Sequence, residues 1–314
     1  MPEFQIHDDA LISLKDKVVL ITGSTSGIGL ATTKLCLDLG AKVIAGDMNP
    51  LSDQFLLQQQ AEEQDQPSQS QLLFQQTDVT DWPSIRNLFI RGFSHFGRID
   101  HVFANAGIGP RTNFLEERFE EGATDDGEKL LAPPDLRTVN VNLLGVINTV
   151  RLGIYYLRRE TSDRTSASVL RSIVLTASAS SFQNFSAADY TVAKHGVLGI
   201  LRGLVNGLQA DSLKAGEYRC PRVRLNAIAP SWTATGMVPR DVLAEMGIEV
   251  QEPEVVARSV VMLWNDEKRH GEVIYSWGGR YVEINRREEG LLDGAIRAVP
   301  NKILEEDVLA RLKR

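Results

Sequence analysis

Short runs of apolar and β-branched residues recur along the chain, and between them lie longer stretches in which apolar positions return every third or fourth residue. The short runs are "KVVLIT" (17–22), "AKVIAGD" (41–47), "QLLFQQTDV" (71–79), "IDHVFANAG" (99–107), "SIVLTAS" (172–178), "RVRLNAIAP" (222–230) and "EVIYSW" (272–277). Strands that alternate with helices build a parallel sheet covered on both faces. The pattern therefore predicts an α/β fold, doubly wound around a seven-stranded parallel sheet.

Two connecting stretches are unusually apolar. In the first, Leu136, Val139, Leu143, Ile147, Val150, Ile154 and Leu157 follow a 3,4 spacing, and Val141, Leu144 and Val146 make a second apolar face. In the second, Lys194, Leu198, Leu201, Val205 and Leu208 keep that spacing, with Val197 and Leu204 beside them. A helix that is apolar on two sides buries both, one on the sheet and the other on a second subunit or elsewhere in its own chain. A homodimer or homotetramer through the helices at about 138–159 and 190–210 is expected.

Three segments read as additions to this framework. Residues 54–76 are rich in Gln and carry no recognisable chemistry. Residues 108–137 form a long acidic insertion directly after a strand, where such loops often wall a binding site. Residues 284–314 form a charged, helix-prone extension whose Ile303, Val308 and Leu309 suit docking on the body. The expected division is a single catalytic domain over 1–283 and a helical extension over 284–314.

Composition narrows the function classes. A chain of 314 residues with 43% hydrophobic and 24% charged residues has the makeup of a globular domain with a sizeable core. Its net charge of −7 and the lack of a Lys/Arg run argue against a nucleic-acid partner. The longest apolar stretches fall well short of the ~20 residues of a membrane helix, and Arg151 and Arg202 interrupt them, so no membrane partner is expected. No secretory pattern opens the sequence, which makes the cytoplasm the expected location. Cys36 and Cys220 stand far apart, and His7, His95, His101, His195 and His270 have no ligand spacing, so no metal is expected.

"TGSTSGIG" (22–29) lies between the first strand and a helical run. Gly23, Gly27 and Gly29 allow a tight turn, close approach of a pyrophosphate and close helix–sheet packing, while Ser26, Ile28 and the helix N-terminus face the phosphates. Asp47 ends the second strand, 18 residues after Gly29, where a carboxylate accepts from both adenosine ribose hydroxyls and repels a 2′-phosphate. No Lys or Arg follows in "DMNP", so NAD is preferred over NADP as the cofactor. Asp78, with Val79 beside it, either accepts from the adenine amino group or belongs to a helix start in which Thr80 or Asp81 is the N-cap and Pro83 sits in the first turn.

"TGSTSGIG", "NAG" (105–107), "VNLLGV" (141–146), a serine on the fifth strand, "YTVAK" (190–194) and "NAIAPSWTAT" (226–235) together resemble the short-chain dehydrogenase/reductase family over residues 14–283. "LAPPDLRTVNVNLLGVINTVRLGIYYLRR" resembles fungal members similar to 15-hydroxyprostaglandin dehydrogenase. The resemblance implies a Rossmann-type domain, a nicotinamide cofactor and hydride transfer at an alcohol or ketone carbon. It makes Tyr190 the proton-transfer group, Lys194 the partner of the nicotinamide ribose, and Ser178 the holder of the substrate oxygen, with Ser180 and Ser181 as rivals.

It also implies that Asn142 interrupts its helix and holds a proton-relay water, the alternative being a tolerated polar residue. Asn105, Ala106 and Gly107 would lie under the adenosine ribose, and Thr233 and Thr235 along the nicotinamide. Ser231 departs from the glycine usual after the proline. Tyrosine has an ordinary pKa of ~10, so a base near neutrality needs cations close by, and Lys194, one helical turn on, and an oxidised nicotinamide are the expected two. The apolar and aromatic Phe182, Phe185, Trp232 and Met237 suggest a bulky hydrophobic small-molecule substrate. The rival readings are a nucleotide-binding scaffold without turnover and a reductase whose product cyclises or rearranges in the pocket.

Overall fold

The computed structural model describes residues 3–11, 14–53, 55, 71–122, 128–159, 171–214, 223–237 and 240–298. Its strands are β1 (Val18–Thr22), β2 (Lys42–Asp47), β3 (Leu72–Gln76), β4 (His101–Ala104), β5 (Arg171–Thr176), β6 (Val223–Pro230), β7 (Val273–Trp277) and β8 (Arg280–Glu283). They form one sheet in the order β3-β2-β1-β4-β5-β6-β7-β8, parallel throughout except for β8, which runs antiparallel to β7. The seven expected strands are thus present and an eighth is added. The Gly278–Gly279 turn, with φ of 50° and 83°, reverses the chain within two residues, and "RYVE" is too short to stand out from the sequence pattern.

The connecting helices are α1 (Gly27–Asp38), α2 (Trp82–Phe96), α3 (Arg137–Val139), α4 (Gly145–Leu157), α5 (Ala188–Lys214), α6 (Arg240–Glu245), α7 (Pro253–Asn265) and α8 (Leu291–Ala298). Strand residues alternate between two cores, as the pleat demands. Val18 and Leu20 join Ile85, Phe89, Val150, Leu157, Val197 and Leu201 beneath α2, α4 and α5. Val19 and Ile21 join Cys36, Leu37, Val256, Val260 and Trp264 beneath α1 and α7. Strand order reverses between β1 and β4, and in an open doubly wound sheet ligands bind outside the carboxyl ends of the strands at that switch point.

The first long helix departs from the expected pattern. Between α3 and α4, residues Asn140–Leu144 form a single π turn, which inserts extra backbone and rotates everything beyond it. Beyond the turn Val150 and Leu157 of the first apolar row and Val146 of the second are buried, while Ile147 of the first row is 44% exposed. In α5, where nothing interrupts the ladder, Lys194, Leu198, Leu201 and Leu208 are buried as the spacing requires.

Two buried arginines fasten helix ends to the sheet. Arg224 on β6 donates to Leu263 O at 2.7 Å and Trp264 O at 2.6 Å, and Arg171 on β5 donates to Leu157 O and Arg159 O. The last carbonyls of a helix lack intrahelical partners and carry partial negative charge, which a guanidinium satisfies. The N-terminal segment returns to the far edge, where Phe4 bridges Tyr281 and stacks on it. In the extension, α8 begins with Leu291 against the core. Ile303, Val308 and Leu309, most of the Gln-rich stretch and Cys220 lie outside the described residues. No helix among the described residues is long and apolar enough to cross a membrane.

Candidate active site

The glycine loop turns at the carboxyl end of β1. Gly23 and Gly27 have φ of 68° and 49°, in the region that disfavours a side chain. A Cβ on Gly29 would stand 1.8 Å from Gly23 O, so the first turn of α1 presses directly on the loop. Ser26 is the N-cap of α1, yet its hydroxyl makes no capping bond, and no acidic residue occupies the first turn. An exposed hydroxyl and unpartnered helix amides at the positive end of the macrodipole suit a phosphate.

Asn105, at the end of β4, fastens this loop. Its Nδ2 donates to Thr22 O at 3.1 Å and Gly23 O at 3.2 Å, its Oδ1 accepts from Thr176 Oγ1 at 3.2 Å, and its amide and that of Ala106 both donate to Thr22 Oγ1. The Asn105 side chain thus holds the glycine turn across the switch point. Asp47 faces the same turn: Oδ2 accepts from Thr25 N and Oδ1 from Asn49 N, each at 3.0 Å. Asp78 folds back on its own chain, with Oδ1 accepting from the amide and hydroxyl of Thr80. The N-cap of α2 is Asp81, whose carboxylate accepts from Ser84 N at 2.9 Å, with Pro83 in the first turn. Val79 is buried beside the π-turn helix, where Gly145 packs on it.

Ser178, Tyr190 and Lys194 converge beyond β5. Ser178 caps a short 3-10 turn (Ala179–Ser181), and its side chain is hydrogen-bonded to Tyr190. Ser180 and Ser181 are both buried, and Ser181 Oγ accepts from Ser178 N and donates to Lys194 O at 2.8 Å. Ser178 is therefore the serine that meets the tyrosine, and Ser181 ties the serine turn to the catalytic-type helix. Lys194 Nζ donates to Thr176 O at 2.8 Å and lies 5.6 Å from the centroid of the Tyr190 ring. Asn142, fully buried in the π turn, accepts from Ile108 N and donates to Ile108 O, both at 2.8 Å.

The electrostatics differ from the sequence expectation in one respect. Burial raises the Tyr190 phenol above its ordinary value, and the hydrogen bond from Ser178 offsets part of that rise. Lys194 does not bring Tyr190 down in this chain by itself, because burial acts on the lysine too and lowers it to about 8. Desolvation thus moves the two groups apart, the phenol upward from its ordinary value near 10 and the ammonium downward to about 8.

Thr233 and Thr235 flank the glycine loop from the β6 side. Thr233 is buried; its hydroxyl donates to Ser231 O at 2.9 Å and accepts from Gln251 Nε2 at 3.2 Å. Thr235 stands against Gly27, where a Cβ would meet the threonine methyl at 2.8 Å. Ser231 has no positive φ, so this turn does not require glycine. Phe185 lies 6.2 Å from Tyr190 and 6.0 Å from Trp232 between ring centroids, forming an aromatic lip. His101 and His270 are buried in structural hydrogen bonds, and no cluster among the described residues could hold a metal.

Sequence reading gives no role to Thr22, Thr176, Gln251 or Asp189 and offers Ser181 only as a rival to Ser178, yet all five hold the expected residues in place. Asp189 carried a usable signal, an acid in the first turn of a helix beside the tyrosine. A dinucleotide fits what is present: a glycine cradle closed to any side chain, an uncapped helix N-terminus, and an acid against the turn.

The chain matches the family model described as short chain dehydrogenase over residues 17–245. It is 39% identical to the short-chain dehydrogenase/reductase ascJ of Acremonium egyptiacum over 99% of this chain and 96% of that protein. It is 27% identical to the human 15-hydroxyprostaglandin dehydrogenase [NAD(+)] over 82% of this chain and 90% of that one. Among solved structures, levodione reductase superposes with a TM-score of 0.61 at 26% identity, covering 85% of this chain and 98% of that chain. The doubly wound sheet, a glycine turn at the switch point and a Ser–Tyr–Lys cluster beyond β5 accord with that match, and the chain belongs to the short-chain dehydrogenase family.

Proposed function

We propose that the chain is an NAD(H)-dependent oxidoreductase that transfers a hydride between nicotinamide and a secondary alcohol or ketone on a bulky hydrophobic molecule, such as a secondary metabolite. The observation that carries this reading is the half-buried Tyr190 hydrogen-bonded to Ser178 with the buried Lys194 ammonium one turn below. A nicotinamide dinucleotide, its pyrophosphate held at the Gly23–Gly29 turn, would supply the hydride donor or acceptor.

In the oxidation direction Tyr190 takes the hydroxyl proton and Ser178 steadies the substrate oxygen as charge develops on it. Lys194, desolvated and with an ammonium that is readily deprotonated, passes the proton onward, and Asn142 fixes the interrupted helix that places the relay beside it. In reduction the same groups work in reverse, with Tyr190 donating. Asp47 and the absence of a cation in "DMNP" support NAD over NADP. Asp78 and Val79 would border the adenine, Asn105 and Ala106 the ribose, and Thr233 and Thr235 the nicotinamide half. Human 15-hydroxyprostaglandin dehydrogenase carries NAD(+) in its name, in agreement with this choice.

Exposed Phe185, beside the Tyr190 ring, and exposed Trp232, beside Phe185, support an apolar substrate, as do the exposed Met237 and Met246 farther along the chain from Trp232. Leu144 at the end of the π turn, Ile147 and Tyr155 on α4 and Val192 on α5, also exposed, support a homodimer or homotetramer through these helices. The catalytic unit would end at about 283, with 284–314 as its extension. The test is turnover of a graded panel of secondary alcohols and ketones with NAD(H) and NADP(H). The reading expects bulky apolar members to be turned over with NAD(H) at least tenfold more efficiently; activity confined to small polar alcohols, or to NADP(H), contradicts it.

A further inference from the structure

The long insertion leaves β4 through a strap, Ile108–Thr112, that is held at nearly every residue. Asn142 takes both main-chain groups of Ile108, and Thr138 Oγ1 donates to Gly109 O at 3.2 Å. Asp189 Oδ2 accepts from Arg111 N at 2.8 Å and Thr112 N at 3.2 Å, and Thr112 Oγ1 donates to Asp135 O at 2.9 Å, closing the root of the insertion. The other Asp189 oxygen accepts from Tyr190 N at 2.8 Å, and the Thr138 hydroxyl also bonds the carboxylate, its one proton shared with Gly109 O.

Asp189 is fully buried, and it is the residue directly before the tyrosine. A buried carboxylate is costly unless its oxygens are satisfied. Here the donors come from three separate elements: the strap 78 and 77 residues away, the α3 start through Thr138, and the first turn of α5. The net result holds the carboxyl below its ordinary range: burial pushes it up, and the amide and hydroxyl donors more than offset that. A shape-filling apolar residue would serve a merely packed position better; four donors converging on one carboxylate fix geometry instead.

We propose that Asp189 is a positioning residue that clamps the Ile108–Thr112 strap to the catalytic helix and thereby sets the distance between the insertion wall and the Tyr190 hydroxyl. The clamp determines which substrates fit: it governs binding of large apolar substrates through the wall, and it acts on proton transfer only through the seating of α5. This rests on the oxidoreductase reading for its kinetic arm alone.

The experiment compares the full chain with Asp189→Asn and Asp189→Ala. Hydrogen exchange read at Arg111 and Thr112 is expected to speed up at least tenfold in Asp189→Ala and by less in Asp189→Asn, which keeps one acceptor, while the amides of Leu20 and Val102 in the central strands exchange as in the parent. With the bulkiest ketone turned over by the parent, KM is expected to rise about tenfold and kcat to fall less than threefold. Unchanged exchange at Arg111 and Thr112 overturns the clamp whether or not any substrate is known. Faster exchange with an equal loss of kcat on all substrates overturns the wall-setting role. If Asp189→Ala fails to fold, Asp189→Asn and Thr138→Val, which removes one donor to the carboxylate, carry the same readouts.

Discussion

At the residue scale, Lys194 shows how burial prepares a group for proton transfer. Its ordinary value of 10.5 falls to about 8 because the ammonium is buried, where it donates to Thr176 O at 2.8 Å. Since its folded value lies below its unfolded one, the unfolded chain binds more protons between about pH 8 and 10.5, and this group's unfavourable contribution shrinks as pH rises through that window. Lys194→Met is accordingly expected to be more stable than the parent near pH 7, and the difference to diminish by up to about 3 kcal/mol by pH 10.5. Chemical denaturation of both proteins across that range checks the sign; a difference that grows with pH contradicts it. Tyr190, Lys194, Asp47 and the glycines were legible in the sequence because each belongs to a local pattern of a few residues. Asp189 and Ser181 were not, because their meaning comes from Arg111, Thr112 and Lys194, which only folding brings close.

At the element scale, periodicity located all seven parallel strands and both long apolar helices, since burial on two faces leaves a continuous apolar run. On α4 it located Val150 and Leu157 in the core but not the exposure of Ile147, which follows the π turn at Asn140–Leu144, where added backbone escapes any count of apolar spacing. Asn142 was the one local sign of that interruption. The roles of Arg171 and Arg224 were likewise hidden, as a charged residue within a strand pattern gives no hint of the helix end it will meet. The contact of α1 with the glycine turn is the tightest approach at the site, and it yields a direct prediction. Gly29→Ala places a methyl 1.8 Å from Gly23 O, which only movement of the turn can relieve. A stability loss of about 1–3 kcal/mol is expected, together with at least tenfold weaker NADH binding, checked by denaturation and by nucleotide fluorescence titration. Parent-like NADH affinity in this variant would show that the turn does not seat the pyrophosphate.

At the scale of the whole molecule, the sheet brings the glycine turn, the acid at the end of β2 and the Ser–Tyr–Lys cluster to one edge, the carboxyl ends on either side of the β1–β4 switch point. The opposite surface of α4 is left apolar, with Ile147 44% and Tyr155 59% exposed. If that surface joins subunits, Ile147→Glu buries a charge at the contact and is expected to reduce the assembly to a smaller species, measured by light scattering on eluting protein. A parent that is already monomeric, or a variant with the parent's mass, contradicts the assembly.

The central claim is that Tyr190 carries the proton while the rest of the fold holds the nucleotide. Tyr190→Phe removes a single hydroxyl and leaves the glycine turn, Asp47 and Lys194 in place. Measured side by side, the variant is expected to bind NADH within about twofold of the parent and to lose between 10²- and 10⁴-fold in kcat, the range that a positioned proton donor contributes. Turnover within threefold of the parent, with NADH binding retained, would contradict the account.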